Sequence, residues 1–513
     1  MNAVGEPGGR KRRGVKNLIY GLTAQALIAV MNLALRSVII SKLGLNYVAL
    51  GALFNEIIAM MSLAELGIGS AITFSLYKPL AKGDEEKCAQ IMTLFQRAYR
   101  IIAAVILGVG CALTPFVHLL VKDIGFDLPY IRLVFLLYTV KTASSYLFSY
   151  KAALLTADQR MYEVTRVNTA ATVAMVACSI LEIVVFGNFI VYLLLQIAFS
   201  LGGNYVLSRL AQKRYPLLAR RAELPASERK AIFKNVRSVF VGKLSGRITN
   251  STDNILITLL VDTLSIGLYA NYSMVLTVLT GVVTQIESAI SAGVGNLLAV
   301  DYDAYAEETL RRLTFSMAAL GTMCMIGLMC VFSPFVSVWI GEKYTLGDGV
   351  VFVLCLNLFL QFARMPLWTT VTGAGLFQKD KYISIIGSTA NLVVSVLLGR
   401  AYGMIGIFIG TTCTHVIQIV LKTLLLYRQR LHASPARYYL RWLFYTLWAS
   451  ALTLAAYAVC RLLPAGNAYL RLLLSFAVGA AFAGLSFLPM CRMPEFAYFK
   501  AQARELVRKL RHR

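Results

Sequence analysis

The chain has 513 residues, of which 58% are hydrophobic and only 15% are charged. This composition excludes an ordinary soluble domain and indicates an integral membrane protein. Lysine and arginine outnumber aspartate and glutamate by 50 to 25. Most of that excess lies in short segments between apolar runs, so nucleic-acid binding is a poor explanation of the charge. The cysteines lack metal-binding spacing and the four histidines are scattered, so we expect neither a metal nor another cofactor.

Fourteen apolar runs follow one another along the chain, each long enough for a transmembrane helix. None shows the short alternating pattern of membrane-barrel strands. Because lipid offers backbone polar groups no other partner, the sequence predicts an all-α integral membrane bundle of about 14 transmembrane helices. The runs cover residues 17–43, 46–77, 90–120, 130–156, 162–186, 188–211, 235–261, 264–298, 311–340, 349–377, 381–399, 402–427, 438–463 and 468–490.

Short motifs recur in the same order in the first and second halves of the chain. GALFN at 51–55 resembles GLYAN at 267–271, and CALTPFV at 111–117 matches CVFSPFV at 330–336. The offset drifts between 216 and 219 residues. The repeat unit holds six spans, an even number, so both copies have the same orientation in the membrane. The sequence therefore predicts two pseudo-symmetric six-helix lobes plus two C-terminal helices.

The distribution of lysine and arginine predicts the orientation of these spans. With a cytoplasmic N-terminus, the inner segments hold most of the basic residues and the outer loops hold few, which predicts that both termini are cytoplasmic. The predicted segments are a basic tail at 1–16, an N-lobe at 17–212, a basic linker at 213–234, a C-lobe at 235–427, two spans at 438–490 and a basic tail at 491–513.

The second apolar run carries two carboxylates. As one helix, residues 47–80 would more than cross the bilayer, with Glu56 and Glu65 inside it. A carboxylate in a span costs roughly 2.5 kcal/mol or more, so it is expected to face the bundle interior or a wet cavity. Either interhelical hydrogen bonding or a polar path through the membrane would explain these residues.

Basic residues occur inside corresponding spans of both predicted lobes. Lys141 lies in the middle of span 4 and Arg364 in the middle of span 10. Lys243 and Arg247 are four residues apart on one face of span 7, and Arg36 lies in the outer half of span 1. These five residues are candidates for binding an anionic substrate, such as a phosphate or diphosphate. For Arg36, a structural partner or snorkelling explains the position equally well.

Within the whole bundle, basic residues outnumber acidic ones. Four of the basic residues lie near span ends, where we expect them to snorkel toward the membrane surface: Arg97, Arg100, Arg132 and Lys422. A surplus of buried cations is costly unless an anion or water compensates it. Four carboxylates are candidates for coupling transport to H⁺ or Na⁺: Glu56, Glu65, Asp253 and Glu287.

Three segments resemble the bacterial polysaccharide-repeat flippases of the multidrug/oligosaccharidyl-lipid/polysaccharide exporter superfamily. They are LGLNYVALGALFNEIIAMMSLAELGIGSAITFSLYKPLAKGD at 43–84, LLTADQRMY at 154–162 and GLFQKDKY at 375–382. The resemblance implies a central cavity between two lobes, alternating access and a substrate made of an oligosaccharide on a polyprenyl diphosphate. It also implies a location in the bacterial cytoplasmic membrane, in contact with membrane lipid and working beside polysaccharide polymerase machinery.

Three other functions stay open at this point. The first is a flippase for a lipid-linked peptidoglycan precursor, from the same superfamily. The second is a multidrug/cation antiporter, which Glu56 and Glu65 would suit but Arg36 would not. The third is a membrane glycosyltransferase or polymerase. Such an enzyme needs a substantial loop or an acidic catalytic motif, and the outer loops here are short, so we expect no enzymatic activity.

Overall fold

The computed structural model describes residues 7–62, 68–121, 125–158, 160–219, 222–230, 232, 252–300, 302–374, 376–464 and 466–501. Within these ranges the chain forms helices and turns and no β-strand. The helices are α1 Pro7–Lys42, α2 Leu45–Met61, α3 Ile68–Lys82, α4 Glu85–Leu113, α5 Leu128–Ser149, α6 Ala152–Ala157, α7 Met161–Val185, α8 Phe189–Arg214, α9 Thr263–Val300, α10 Tyr302–Trp339, α11 Asp348–Gly373, α12 Phe377–Tyr402, α13 Met404–Leu426, α14 Ala436–Arg461 and α15 Ala468–Leu485.

Most of the apolar runs of the sequence correspond to these helices; most of the run 235–261 lies outside the described residues. In the described part of the chain, 11 helices are long and apolar enough to cross a membrane, and α2 is a shorter apolar helix. The predicted class, an all-α multi-pass membrane protein, is confirmed. The count of fourteen spans stays a prediction.

Polar side chains cap the N-termini of several helices. The Asp84 carboxylate accepts a hydrogen bond of 2.9 Å from the backbone N–H of Lys87 at the start of α4. Asn188 and Asn467 accept in the same way at the starts of α8 and α15. These caps satisfy N–H groups that a helix leaves without an internal partner.

The prediction of a single helix through residues 47–80 is wrong. Helix α2 ends at Met61, and Ser62 follows it with a backbone conformation outside the helical region. The Ser62 backbone N–H and hydroxyl both bond to the carbonyl of Ile58, the hydroxyl at 3.0 Å. Helix α3 starts at Ile68. Glu65 lies outside the described residues.

Two compact units divide the chain, at residues 1–270 and 271–513. In the first unit α4 packs on α5, α5 on α8 and α7 on α8. In the second unit the corresponding helices pack in the same pairs, α10 on α11, α11 on α13 and α12 on α13. Helices α14 and α15 pack on α10. This packing agrees with two pseudo-symmetric lobes plus two C-terminal helices, while the predicted lobe boundaries stay predictions.

Small residues bring α12 and α13 into close contact. A Cβ atom at Gly406 would lie 2.0 Å from the carbonyl oxygen of Leu398, and one at Gly410 would lie 2.0 Å from the Ser395 hydroxyl. That hydroxyl donates 2.9 Å to the carbonyl of Ile407. Close backbone approach at small residues, with hydrogen bonds between helices, is how membrane helices associate without a hydrophobic driving force between them.

This contact predicts the effect of a single added methyl group. Gly406→Ala should lower the free energy of unfolding by about 1–3 kcal/mol, because the methyl group meets rigid backbone in a filled interface. Thermal unfolding of the purified protein in detergent measures the change. Gly484→Ala in α15 is the matched control, since no atom lies within 4 Å of its added Cβ. Equal unfolding temperatures for the two variants would contradict the packing described here.

Candidate functional site

A cluster of polar side chains joins α1, α5 and α8 in the first unit. The Lys141 ammonium of α5 donates a hydrogen bond to the Gln196 side-chain oxygen of α8, and it lies 5.5 Å from the ring centroid of Tyr138. The Gln196 amide also hydrogen-bonds the Tyr192 hydroxyl one turn earlier. Arg36 of α1 lies within electrostatic range of the Tyr138 and Tyr192 hydroxyls. Two sequence candidates, Arg36 and Lys141, thus both lie near Tyr138.

Neutral groups surround the two basic residues of this cluster. Tyr138, Tyr192 and Gln196 are each at least nine-tenths buried. Within the described ranges, neither Arg36 nor Lys141 forms an ion pair with a carboxylate. Hydroxyl and amide dipoles orient a cation but do not cancel its charge, so the cluster favours an anion.

The second unit contains an equivalent pair. The Arg364 guanidinium of α11 donates a hydrogen bond to the Gln418 side-chain oxygen of α13. Gln418 is 6% exposed and Gln196 is 8% exposed. The absence of a side chain at Gly387 leaves room for the Gln418 amide, because a Cβ there would lie 3.1 Å from its nitrogen.

The two cation–glutamine pairs occupy matching positions of the internal repeat. Lys141 and Gln196 are 55 residues apart, and Arg364 and Gln418 are 54 residues apart. Helix α5 corresponds to α11, and α8 corresponds to α13, in the packing of the two units. The offset between the pairs, 223 and 222 residues, exceeds the 216 to 219 of the sequence motifs. Aligning the two halves by their sequence motifs therefore does not align these two pairs.

A second hydrogen bond between the same two helices also occurs in both units. Its donor follows α5, the first helix of the pair, in the first unit, and α13, the second helix of the pair, in the second unit. In the first unit the Lys151 ammonium, just after α5, donates 2.8 Å to the Ser208 hydroxyl of α8. In the second unit Arg430, just after α13, donates 3.0 Å to the backbone carbonyl of Ala374 at the end of α11. The offsets are again 223 and 222 residues.

The expectation that Lys422 snorkels to the membrane surface is wrong. Its side chain is 0% exposed and lies 2.5 Å from the Asp380 carboxylate of α12. The Lys422 ammonium also lies 4.1 Å from the ring centroid of Trp368. A carboxylate that the sequence analysis did not count thus compensates this lysine, so burial costs less than the apolar surroundings suggest. The other three predicted snorkelling residues are exposed or half-buried.

Acidic and polar residues form a separate cluster in the first unit. The Asn254 side-chain amide donates 2.9 Å to the Glu56 carboxylate of α2. Asp253, beside Asn254 in the helical stretch 252–260, is 8% exposed. Both carboxylates act electrostatically on the Tyr269 hydroxyl of α9. The structure thus brings together Glu56 and Asp253, two candidates for ion coupling.

The structure does not describe the side chains of four of the nine candidate substrate-binding and ion-coupling residues. Lys243, Arg247 and Glu65 lie outside the described residues. Glu287 belongs to α9, but its side chain is also outside the description. Their proposed roles stay predictions.

A polar network holds the connection between α6 and α7. Arg160 donates 2.7 Å to Asp158 and 3.0 Å to Glu163, and the Tyr215 hydroxyl donates 2.6 Å to Asp158. Burial works to lower the pKa of Arg160, but its bonds to the two carboxylates outweigh burial and raise it. Burial and then the bond to Asp158 raise the pKa of Tyr215. Ion pairs and hydrogen bonds between charged groups therefore hold this connection.

Sequence reasoning missed the residues that hold the basic side chains. Gln196, Gln418, Asp380 and Trp368 were not singled out, although three of them are polar residues within or beside apolar runs. A buried amide is as unusual in a span as a charge is, because its polar atoms need partners there. Mid-span glutamines at matching places in the two lobes were the available signal.

No protein-family model matches the sequence, and no curated protein matches it. Solved structures do match. The chain is similar to the lipid II flippase MurJ in an inward closed conformation, with 14% identity and a TM-score of 0.66, over 93% of this chain and 100% of that chain. It is similar to an inward-facing multidrug resistance MATE family transporter of the MOP superfamily, with 16% identity and a TM-score of 0.54, over 77% of this chain and 92% of that chain. The eukaryotic MATE transporter AtDTX14 matches with 15% identity and a TM-score of 0.54, over 87% and 100%. At these identities, the likeness shows a shared fold.

The Lys422–Asp380 pair predicts a large effect of removing one charge. Asp380→Asn should lower the free energy of unfolding by about 3–5 kcal/mol, because it leaves Lys422 buried without a counter-charge. Adding Lys422→Met should restore most of that loss. Thermal unfolding in detergent measures both changes.

The exposed ion pair between Arg97 and Glu223, at 2.7 Å, supplies the control. Glu223→Gln should leave the unfolding temperature unchanged, since solvent screens such pairs. An Asp380→Asn protein as stable as the wild type would show that Lys422 is not held by this pair.

Proposed function

We propose that this protein is a flippase that moves oligosaccharides linked to polyprenyl diphosphate across the bacterial cytoplasmic membrane by alternating access. The oligosaccharide would be a repeat unit for cell-surface polysaccharide, and both termini would lie in the cytoplasm. No covalent step is required of the protein. Membrane lipid surrounds the substrate tail, and polysaccharide polymerase machinery would use the transported product.

The observation that carries the proposal is a basic side chain held by a buried glutamine at matching positions of both units. In the first unit, Arg36 adds a second positive charge near Tyr138, the ring that Lys141 also approaches, and neither basic residue forms an ion pair with a carboxylate in the described part of the chain. A diphosphate supplies several negatively charged oxygens that accept hydrogen bonds from such groups. The fold shared with a lipid II flippase supports a lipid-linked anion as substrate.

A lipid-linked peptidoglycan precursor is the second candidate substrate. Its specific support is the TM-score of 0.66 to the lipid II flippase, against 0.54 to each of the two MATE transporters. The basic residues would serve either substrate, because they recognise the charged linkage and not the sugars. Parallel transport assays with both lipids would distinguish the candidates.

The basic residues can be tested by truncation. Lys141→Ala and Arg364→Ala should each slow flipping of a fluorescent undecaprenyl-diphosphate oligosaccharide in proteoliposomes by tenfold or more, because each removes one charge facing the diphosphate. Accessibility of the fluorophore to an external quencher measures flipping.

Arg100→Ala is the matched control, since Arg100 is an exposed residue of α4. It should flip the lipid at the wild-type rate. All three proteins must elute as folded monodisperse species. Wild-type rates in both the Lys141 and Arg364 variants would refute the assignment of these residues to substrate binding.

We further propose that the cluster of Glu56 and Asp253 couples flipping to a gradient of H⁺ or Na⁺. Glu56→Gln and Asp253→Asn keep the shape of each side chain but remove the charge that would bind the ion. Each variant should flip at one rate whether or not a gradient is imposed, while the wild type is accelerated by one of the two gradients. A wild-type rate indifferent to both ions would remove this role.

A further inference from the structure

A groove lies between α7 and α8 of the first unit, and none of its described lining residues belongs to the clusters above. Its volume is about 550 Å³, within the range of small-molecule binding sites. Among the described residues that line it, Arg166 of α7 alone is charged, and the others are apolar. Small residues such as Ala170 and Gly202 leave the space open, because a Cβ atom added at Gly202 would meet nothing within 4 Å.

The open space is not a necessary result of packing two such helices. Helices α7 and α8 touch where a Cβ atom at Gly203 would lie 3.0 Å from that of Ala171. The corresponding helices of the second unit, α12 and α13, approach more closely, since added Cβ atoms at Gly406 and Gly410 would each lie 2.0 Å from a neighbouring atom. The groove is therefore a particular feature of the first unit's helix pair.

Arg166 brings an uncompensated positive charge to this groove. It is exposed, and within the described residues it forms no ion pair. The nearest carboxylate along α7, Glu163, lies instead 3.0 Å from Arg160 and 3.8 Å from Arg214. The Arg166 guanidinium is therefore available to donate hydrogen bonds to the oxygens of an anion such as a phosphate.

A second arginine lies at the same level of this helix pair. Helices α7 and α8 are joined by a short turn and run antiparallel. Because Ala171 lies opposite Gly203, Arg166, five residues before Ala171, lies within one residue of the level of Arg209, six residues after Gly203. Arg209 donates 2.8 Å to a tyrosine hydroxyl one turn earlier and forms no ion pair in the described part of the chain. Both arginines lie at the end of the pair that the charge distribution predicts to be cytoplasmic.

The length of the groove corresponds to one leaflet of a bilayer. Its lining residues on α8 run from Val206, near the level of the arginines, to Ala198. These eight steps cover about 12 Å at the helical rise of about 1.5 Å per residue. Half of a hydrocarbon core of roughly 30 Å has a similar depth. The groove therefore extends from the two arginines about as far as an acyl chain of the same leaflet does.

We propose that this groove binds a resident anionic phospholipid of the cytoplasmic leaflet. The lipid phosphate lies at Arg166, on the side of Arg209, and one acyl chain follows the small residues between α7 and α8. Basic pockets between transmembrane helices on the cytoplasmic side recognise acidic head groups in this way. The site is separate from the residues proposed to bind the transported lipid, so the inference does not depend on the proposed substrate.

Two substitutions test the head-group contact and the chain contact separately. The purified full-length protein is titrated in detergent with phosphatidylglycerol or with phosphatidylcholine of the same acyl chains, and native mass spectrometry gives the apparent dissociation constant of the first bound lipid. The wild type should bind phosphatidylglycerol at least tenfold more tightly. Arg166→Gln should weaken phosphatidylglycerol binding at least fivefold and phosphatidylcholine binding by a smaller factor, because it removes the charge that pairs with the acidic head group. Gly202→Leu should weaken binding of both lipids, because its side chain fills the groove.

Matched controls make the same chemical changes elsewhere. Arg100→Gln removes an exposed charge from α4, and Gly484→Leu adds a side chain to α15 where no atom lies within 4 Å of an added Cβ. Both should bind phosphatidylglycerol as the wild type does. If Gly202→Leu does not fold, Arg166→Gln decides, since Arg166 is exposed. Wild-type affinity for phosphatidylglycerol in Arg166→Gln overturns the proposal, as does equal affinity of the wild type for the two phospholipids.

Other occupants of the groove would give different results. If Gly202→Leu weakens binding of undecaprenyl phosphate but leaves the affinity for phosphatidylglycerol unchanged, the groove holds a polyprenyl chain and the proposal fails. If light scattering shows a dimeric wild type and a monomeric Gly202→Leu variant of unchanged phospholipid affinity, a second copy of the chain fills the groove and the proposal also fails. Neither result changes the expected rates of the Lys141 and Arg364 variants in the flipping assay, so the two proposals fail separately.

Discussion

The structure depends on how a positive charge is kept inside an apolar bundle of helices. Moving an ion out of water costs several kcal/mol even after the protein relaxes, so a buried cation needs either a counter-charge or polar groups arranged around it. Lys141 has the second kind of environment, made by Gln196 and the nearby tyrosines. Such an environment lowers the cost of burial but does not remove the charge. The remaining charge is available to attract an anion, and this availability links the fold to the transport that we propose.

Lys422 shows the alternative solution in the same chain. The Asp380 carboxylate forms an ion pair with Lys422, and the Lys422 ammonium lies over the Trp368 ring. A buried ion pair of this kind joins α12 to α13, and each of its charges already has an opposite charge beside it. The contrast between the two arrangements explains why a count of charges within spans is a poor guide to function. What matters is whether the partner of each charge is itself charged.

The repeat gives this arrangement twice. The same pair of helices carries the cation–glutamine bond in each unit, and the second bond between those helices survives with its donor on the opposite side. The two units make this contact at the same place, although the donor lies on a different helix in each. The distance between the two helices is therefore similar in both units. The side chains that span that distance have diverged.

Much of the fold could be predicted from the sequence, because an apolar run of sufficient length indicates a transmembrane helix. The runs at 162–186, 188–211 and 264–298 match α7, α8 and α9 within a few residues. The error at 47–80 arose because hydropathy reports the length of an apolar run and not whether a helix ends within it, as α2 does at Met61.

The site was less predictable than the fold. Lys141 and Arg364 were found because charges stand out in an apolar run. Their glutamine partners, and the pairing of Lys422 with Asp380, were not found, because contacts between residues about 40 to 55 positions apart leave no local pattern. The offset of the repeat also shifts between helices, so matching motifs did not align the two basic residues.

The most direct test of the central claim varies the charge on the substrate and leaves the protein intact. Initial rates of transbilayer movement in proteoliposomes would be compared for one oligosaccharide carried on a polyprenyl diphosphate, on a polyprenyl monophosphate and on an uncharged polyprenyl ether. The account predicts fastest movement of the diphosphate, slower movement of the monophosphate and none of the ether above protein-free vesicles. Equal rates for all three lipids would show that the basic residues do not select the substrate, and would contradict the account.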